Sequence, residues 1–142
     1  INCFYVITME NDILKGAKVL WVEDDKFLRN MIDQRLAPTG ADLVSVTDGA
    51  KALETIKSYI PDIIMLDLLM PNVDGFEILK LVKSDESLKH IPVLVLSNLG
   101  QKEEVERCKK LGAEDFIIKA TIGLDDIIPR IRAVLAKTKA HQ

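Results

Sequence analysis

Four polar signals stand at the ends of apolar runs. Glu23, Asp24 and Asp25 follow "VLWV", Asp67 follows "IIML", Ser97 follows "PVLVL", and Lys119 follows "DFII". Asp67 is the most pointed of these. A carboxylate inside the most hydrophobic stretch of a chain is costly unless it is neutralised, paired or bound to a metal. If the four runs are strands of one parallel sheet, their ends meet at one rim. Glu23, Asp24 and Asp67 gathered at about 4–5 Å would repel by roughly 3–4 kcal/mol per pair at an effective dielectric near 20. Such a group protonates or takes up a cation. Hard oxygen donors at an open rim suit Mg²⁺, which retains several waters and needs few carboxylates. Lys119 adds a fixed positive charge and Ser97 a hydroxyl donor. Together they form a cradle for a phosphoryl group, with Asp67 as the nucleophile. Asp25 reads differently, as the N-cap or first-turn charge of the helix that follows.

The elements that must position these residues are legible from periodicity. "KVLWV" (18–22) is of strand length, and "KFLRNMIDQRLA" follows with Leu28, Met31, Ile32 and Leu36 on one helical face. Pro38-Thr39-Gly40 ends that helix. "ADLVSV" is a second strand, and "DGAKALETIKSYI" a helix that aligns Ala50, Leu53 and Ile56, with Asp48 as N-cap. "DIIML", "PVLVLS" and "DFIIK" supply three more strands. Between and after them lie "GFEILKLVK", "QKEEVERCKKLG" stopped by Gly112, and "GLDDIIPRIRAVLAKTK" with Leu124, Ile127, Ile128, Ile131 and Leu135 in a stripe. Five β-α units with continuously apolar strands predict a doubly wound α/β fold, a parallel sheet covered on both faces. In such sheets ligands bind beyond the carboxyl ends of the strands.

The chain reads as an N-terminal extension over 1–16 and one domain over 17–142. Met9 is a candidate natural start that would leave residues 1–8 extraneous, or the domain is cut from a longer chain. "INCFYVIT" also has the β-rich composition to pair with a sheet edge. It is too short to span a bilayer and lacks a charged leader. A net charge of −3 gives no reason to expect nucleic acid or an anionic membrane as partner, and "AKTKAHQ" reads as a solvated helix end. Two cysteines do not make a disulfide framework, which points to a reducing, cytoplasmic setting. Cys108 shares an apolar helical spacing with Val105 and Leu111, and is read as core. His90 and His141 have no second ligand near them in sequence, which argues against zinc.

With "VLWVEDD", "PDIIMLDLLMPNVDGFEIL", "PVLVLSN" and "LGAEDFIIK" in place, the chain resembles the receiver domain of bacterial response regulators, such as the chemotaxis regulator, from about Lys18 to Lys137. The resemblance implies a flavodoxin-like (βα)₅ fold with strand order 2-1-3-4-5. It implies that Glu23, Asp24, Asp67 and the Leu69 backbone carbonyl hold Mg²⁺, and that Asp67 accepts the phosphoryl group. Ser97 and Phe116 would be the switch pair, and Lys119 would pair with a phosphoryl oxygen. A sensor histidine kinase or phosphotransfer protein would be the donor, and a downstream protein would read the face of the fourth helix, fifth strand and fifth helix. Such a protein catalyses only its own phosphorylation and dephosphorylation, and many receivers form homodimers through the last helix.

Four residues depart from the family pattern. Ala120 replaces the proline that usually follows the lysine. Since a cis bond without proline costs about 2.5–4 kcal/mol, Lys119–Ala120 is predicted trans, with a local loop change. Pro129 sits inside the last helix and predicts a kink or a separate first turn around Asp125–Pro129. Leu69 and Leu99 border the path of attacking water and would tune the lifetime of the phosphoryl group. Asn98, where a small residue is usual, would narrow access to Asp67. Other readings fit less well. A phosphatase with an aspartate nucleophile needs a second acid where Leu69 stands. A flavin-type cofactor binder needs a phosphate-cradling loop where Glu23-Asp24-Asp25 would repel phosphate. A receiver that only docks partners would not need every catalytic position filled.

Overall fold

The computed structural model describes residues 12–98 and 100–140. Expectations for Cys3, Met9 and residues 1–8, for Leu99 and for His141 lie outside them. Five strands form the main sheet: β1 (Lys18–Val22), β2 (Asp42–Val46), β3 (Ile63–Leu66), β4 (Val93–Ser97) and β5 (Asp115–Ile118). All neighbours pair in parallel, in the order β2-β1-β3-β4-β5. Helices α1 (Lys26–Leu36), α2 (Ala52–Tyr59), α3 (Gly75–Ser84), α4 (Lys102–Leu111) and α5 (Leu124–Ala140) make the crossovers and the end of the chain. This is the doubly wound α/β architecture that the alternation predicts. No helix among the described residues is long and apolar enough to cross a membrane.

Strand side chains alternate between two cores. Leu20, Val22, Ile64, Leu66, Val93 and Val95 face one side, where Ala52 and Ile56 of α2, Phe76 and Leu79 of α3, and Cys108 of α4 pack on them. Val19, Trp21, Ile63, Met65, Leu94 and Leu96 face the other, under Ile32 and Leu36 of α1 and Ile127, Ile131 and Leu135 of α5. The Cys108 thiol is buried as expected, and burial pushes its pKa up to about 11. Gly112 ends α4 with φ +104°, a backbone conformation that favours glycine, and its N–H caps the helix.

Several local expectations need correction. Asp48 is an N-cap, but of a short 3₁₀ turn over Gly49–Lys51, so α2 begins only at Ala52 and Ala50 is exposed instead of sharing the face of Leu53 and Ile56. The last helix runs unbroken from Leu124 to Ala140 with no separate first turn. Pro129 lies on its exposed side, and the carbonyl deprived of a partner is that of Asp125, itself exposed in the first turn and open to water. Lys119–Ala120 is trans, as no described peptide bond is cis. The loop after it closes tightly, with Thr121 N–H donating to the Ile118 carbonyl at 3.1 Å.

Residues 12–17 join the domain. Leu14 is fully buried in the α1–α5 core, and Arg132 of α5 donates to Asp12 at 2.7 and 3.1 Å. Gly16 N–H donates to the Gly40 carbonyl at 2.9 Å, which ties this turn to the end of α1.

Candidate phosphoacceptor site

The strand ends meet because the ladder continues one residue past them. Asp67 N–H donates to the Val22 carbonyl at 3.1 Å, and Glu23 N–H to the Val46 carbonyl at 3.0 Å. Lys119 N–H donates to the Ser97 carbonyl at 2.9 Å. Backbone pairing therefore fixes Glu23, Asp67, Ser97 and Lys119 at one rim. Apolar register on both faces of the sheet keeps the pairing from slipping.

Glu23, Asp24 and Asp67 each place a carboxylate oxygen within 4.8 Å of the others. Glu23 is 1% and Asp67 4% exposed, whereas Asp24 is open to solvent. The Lys119 ammonium donates to Asp67 Oδ2 at 3.0 Å and also to Glu23 Oε2. It thus bridges the two buried acids, where the sequence pointed only to a positive charge facing Asp67. Asp67 Oδ1 accepts from Leu69 N–H at 3.1 Å, and Glu23 Oε1 from Asp25 N–H at 3.1 Å. Asp25 stands apart from the cluster. Its carboxylate caps α1 by accepting from Phe27 and Leu28 N–H at 3.0 and 3.1 Å, as the sequence predicts.

The local charge does not balance. Three carboxylates against one ammonium leave −2 when all are ionised. Burial pushes the Glu23 carboxyl above its usual range. The Lys119 hydrogen bond pulls it back, and the Asp67 charge raises it again. Burial opposes the charge on Lys119, but its hydrogen bonds to Glu23 and Asp67 outweigh that and raise it. Both shifts favour the bound proton, on Glu23 chiefly through burial and on Lys119 through its two acidic partners. A divalent cation would remove that excess, and the donor set is all oxygen, so these residues suit Mg²⁺ in chemistry and charge.

Ser97 is fully buried at the end of β4, paired in register with Ile118. Phe116 lies within β5, two residues before Ile118. It is half-buried against the α2–α3–α4 core and pairs with Val95. Leu69 is 57% exposed, and Asn98 is exposed next to Ser97.

Sequence reading missed how Leu69 is carried. Leu69–Met70 and Val73–Asp74 form a small antiparallel ribbon, turned at Pro71–Asn72 with Asn72 at φ +65°. The "PN" pair was the available signal, since asparagine tolerates the left-handed conformation. Gly75 was missed too. It opens α3 directly against the backbone of Asp67 and Leu68.

The family model for the response regulator receiver domain matches residues 19–132. The chain is 33% identical over 121 residues to the "DNA-binding dual master transcriptional regulator RpaA" of Synechocystis sp., which covers 85% of this chain and 50% of that protein. It spans about half the length of the first curated relatives it matches. It is 31% identical over 117 residues to the polar-differentiation response regulator DivK of Brucella ovis, covering 82% of this chain and 94% of DivK. Among solved structures, the phosphorylated cyanobacterial phytochrome response regulator RcpA superposes with a TM-score of 0.73 at 31% identity, over 84% of this chain and 91% of its own. The chain belongs to the response regulator receiver domain family.

Proposed function

We propose that this domain takes a phosphoryl group onto Asp67 from a histidine kinase or a phosphotransfer protein, in a Mg²⁺-dependent reaction. The observation that carries this reading is the Lys119 ammonium bridging two buried carboxylates, while a third, exposed one completes a site with excess negative charge. Glu23, Asp24, Asp67 and the Leu69 carbonyl would hold the ion. When bound, it neutralises charge building on the transferring phosphoryl oxygens.

In the transfer, an Asp67 carboxylate oxygen bonds to phosphorus as the phosphorus–nitrogen bond of a donor phosphohistidine breaks. The imidazole keeps the electron pair and takes a proton. Leu69 N–H and the Lys119 ammonium, each already on one Asp67 oxygen, hold the carboxylate in place. Lys119 then turns its charge to a phosphoryl oxygen, and the Ser97 hydroxyl donates to another. Hydrolysis breaks the new oxygen–phosphorus bond and restores the carboxylate, so the domain acts on itself and turns over no separate substrate. Ser97 and Phe116 would carry the change to the face of α4, β5 and α5, where a partner protein reads it. A reducing, cytoplasmic setting accompanies this reading, as the sparse cysteines suggest.

Acetyl phosphate with Mg²⁺ should add one phosphoryl group to the intact protein, read by mass spectrometry. Asp67→Asn should abolish the gain, and so should chelating the metal. An unmodified wild type, or a gain that survives in Asp67→Asn, removes the reading.

A further inference from the structure

We infer that the first turn of α3, through Gly75, is a positioning element for Asp67. The inference rests on the phosphoacceptor reading above and extends it to a residue outside the charged cluster. A Cβ at Gly75 would lie 2.5 Å from the Leu68 Cα, 2.7 Å from the Asp67 carbonyl oxygen and 3.0 Å from the Leu68 carbonyl carbon. These are all backbone atoms, so none can rotate away. Gly75 is helical, and its backbone conformation does not require glycine. Steric contact with the peptide joining Asp67 to Leu68 does.

The junction is held by polar groups as well. Gly75 N–H donates to the Leu68 carbonyl at 3.2 Å. The Asp74 carboxylate caps the helix by accepting from Phe76 N–H at 2.9 Å. From there the ribbon returns, pairing Asp74 with Leu69, and Leu69 N–H holds Asp67 Oδ1. The closed circuit runs from the Asp67 carboxylate through Leu69 and Asp74 to Gly75, and back to the Asp67 backbone. The start of α3 is therefore a backstop for the nucleophile. A methyl group at Gly75 would drive the backbone from 2.5 Å to beyond 3.0 Å. Reactions between positioned groups lose about 10²-fold in rate for a 1 Å misplacement, so a half-ångström shift corresponds to about tenfold.

Gly49 provides the control. A Cβ there would also be crowded, at 2.8 Å, but against the Val73 side chain of the ribbon and not against backbone. The experiment follows phosphorylation by acetyl phosphate with Mg²⁺, by mass, across acetyl phosphate concentrations, with thermal midpoints for each variant. Gly75→Ala should lower the saturated rate about tenfold or more without changing the concentration that gives half that rate. Gly49→Ala should lower the thermal midpoint and leave the saturated rate within twofold of wild type. Asp74→Ala keeps the glycine and removes the cap, and should lower the saturated rate at least threefold. A folded Gly75→Ala with a saturated rate within twofold of wild type overturns the positioning role and leaves Asp67 as acceptor. If Gly75→Ala does not fold, Asp74→Ala decides: a slowed rate supports the backstop, and a rate within twofold overturns it. A wild type that takes no phosphoryl group overturns the acceptor reading and this inference with it.

Discussion

The two rims of the sheet partner their acids differently. At the amino ends of the strands every acid described has a dedicated partner. Glu114 accepts from the Lys83 ammonium at 3.1 Å and from Val93 N–H at 2.7 Å. Asp115 takes both arms of Arg130 at 2.5 and 2.6 Å. Asp62 accepts from Lys18 N–H at 2.8 Å, Asp42 from the Tyr59 hydroxyl at 2.8 Å, and Asp12 from Arg132. At the carboxyl ends two buried acids, Glu23 and Asp67, share one lysine, and a third, Asp24, stands within 4.8 Å of them. At the first rim each acid keeps a partner of its own, a cation for Glu114, Asp115 and Asp12 and a neutral donor for Asp62 and Asp42. At the second rim the acids that share a cation are buried, Glu23 at 1% and Asp67 at 4% exposure, with a third carboxylate beside them, and the proposed ion and phosphoryl group rest on that crowding.

Substitutions at the two rims should break this contrast in a graded way. The largest effect is expected from Lys119→Met, which strands Glu23 and Asp67 as buried acids without their cation. Breaking a buried pair from one side costs about 3–5 kcal/mol, read as a lowered urea midpoint without Mg²⁺. Added Mg²⁺ should recover part of it, which no variant of the opposite rim should show. Next is Glu114→Ala, which leaves the Lys83 ammonium short of an anion and Val93 N–H without its acceptor, at a cost of about 1–3 kcal/mol independent of Mg²⁺.

The smallest effect belongs to Asp12→Asn. The Arg132 hydrogen bond beside Asp12 holds its carboxyl below the usual range, against a smaller opposing effect of burial. A depressed acid contributes stability above its unfolded value, near 3.9, and loses it as pH falls through the folded value. Arg132 is 41% exposed, so solvent screening limits the pair to about 0.5–1 kcal/mol. Asp12→Asn should lower stability slightly at pH 7 and make the decline below pH 4 shallower, measured by urea unfolding across pH.

What the sequence disclosed and what it withheld divide along physical lines. Glu23, Asp67, Ser97 and Lys119 were legible as one rim because each ends a continuously apolar run, and parallel strands of that kind admit few registers. Asp25 was legible because a short acid before an amphipathic stretch has a strong capping preference. The 69–74 ribbon was not, since two-residue strands have no periodicity to detect. The exposure of Ala50 depends on one 3₁₀ turn, a difference of hydrogen-bond pattern that composition does not encode. Pro129 does not set off a separate first turn, because the carbonyl it leaves without a partner, that of Asp125, lies in an exposed part of the helix start. Asp12 gave no signal, as its partner Arg132 lies on α5, more than a hundred residues away, and Leu14 gave none because it is one apolar residue outside any periodic run.

The alternation along β1 has a consequence for what can vary in this fold. Leu20 and Val22 belong to one core, and Val19 and Trp21 to the other. Inserting or deleting a single residue within the strand would send each of these side chains to the wrong layer, and Glu23 would change direction with them. The placement of the acidic rim is thus inherited from the close packing well beneath it. The outer faces of the helices remain free to diverge, and new partners can be acquired there without disturbing the chemistry.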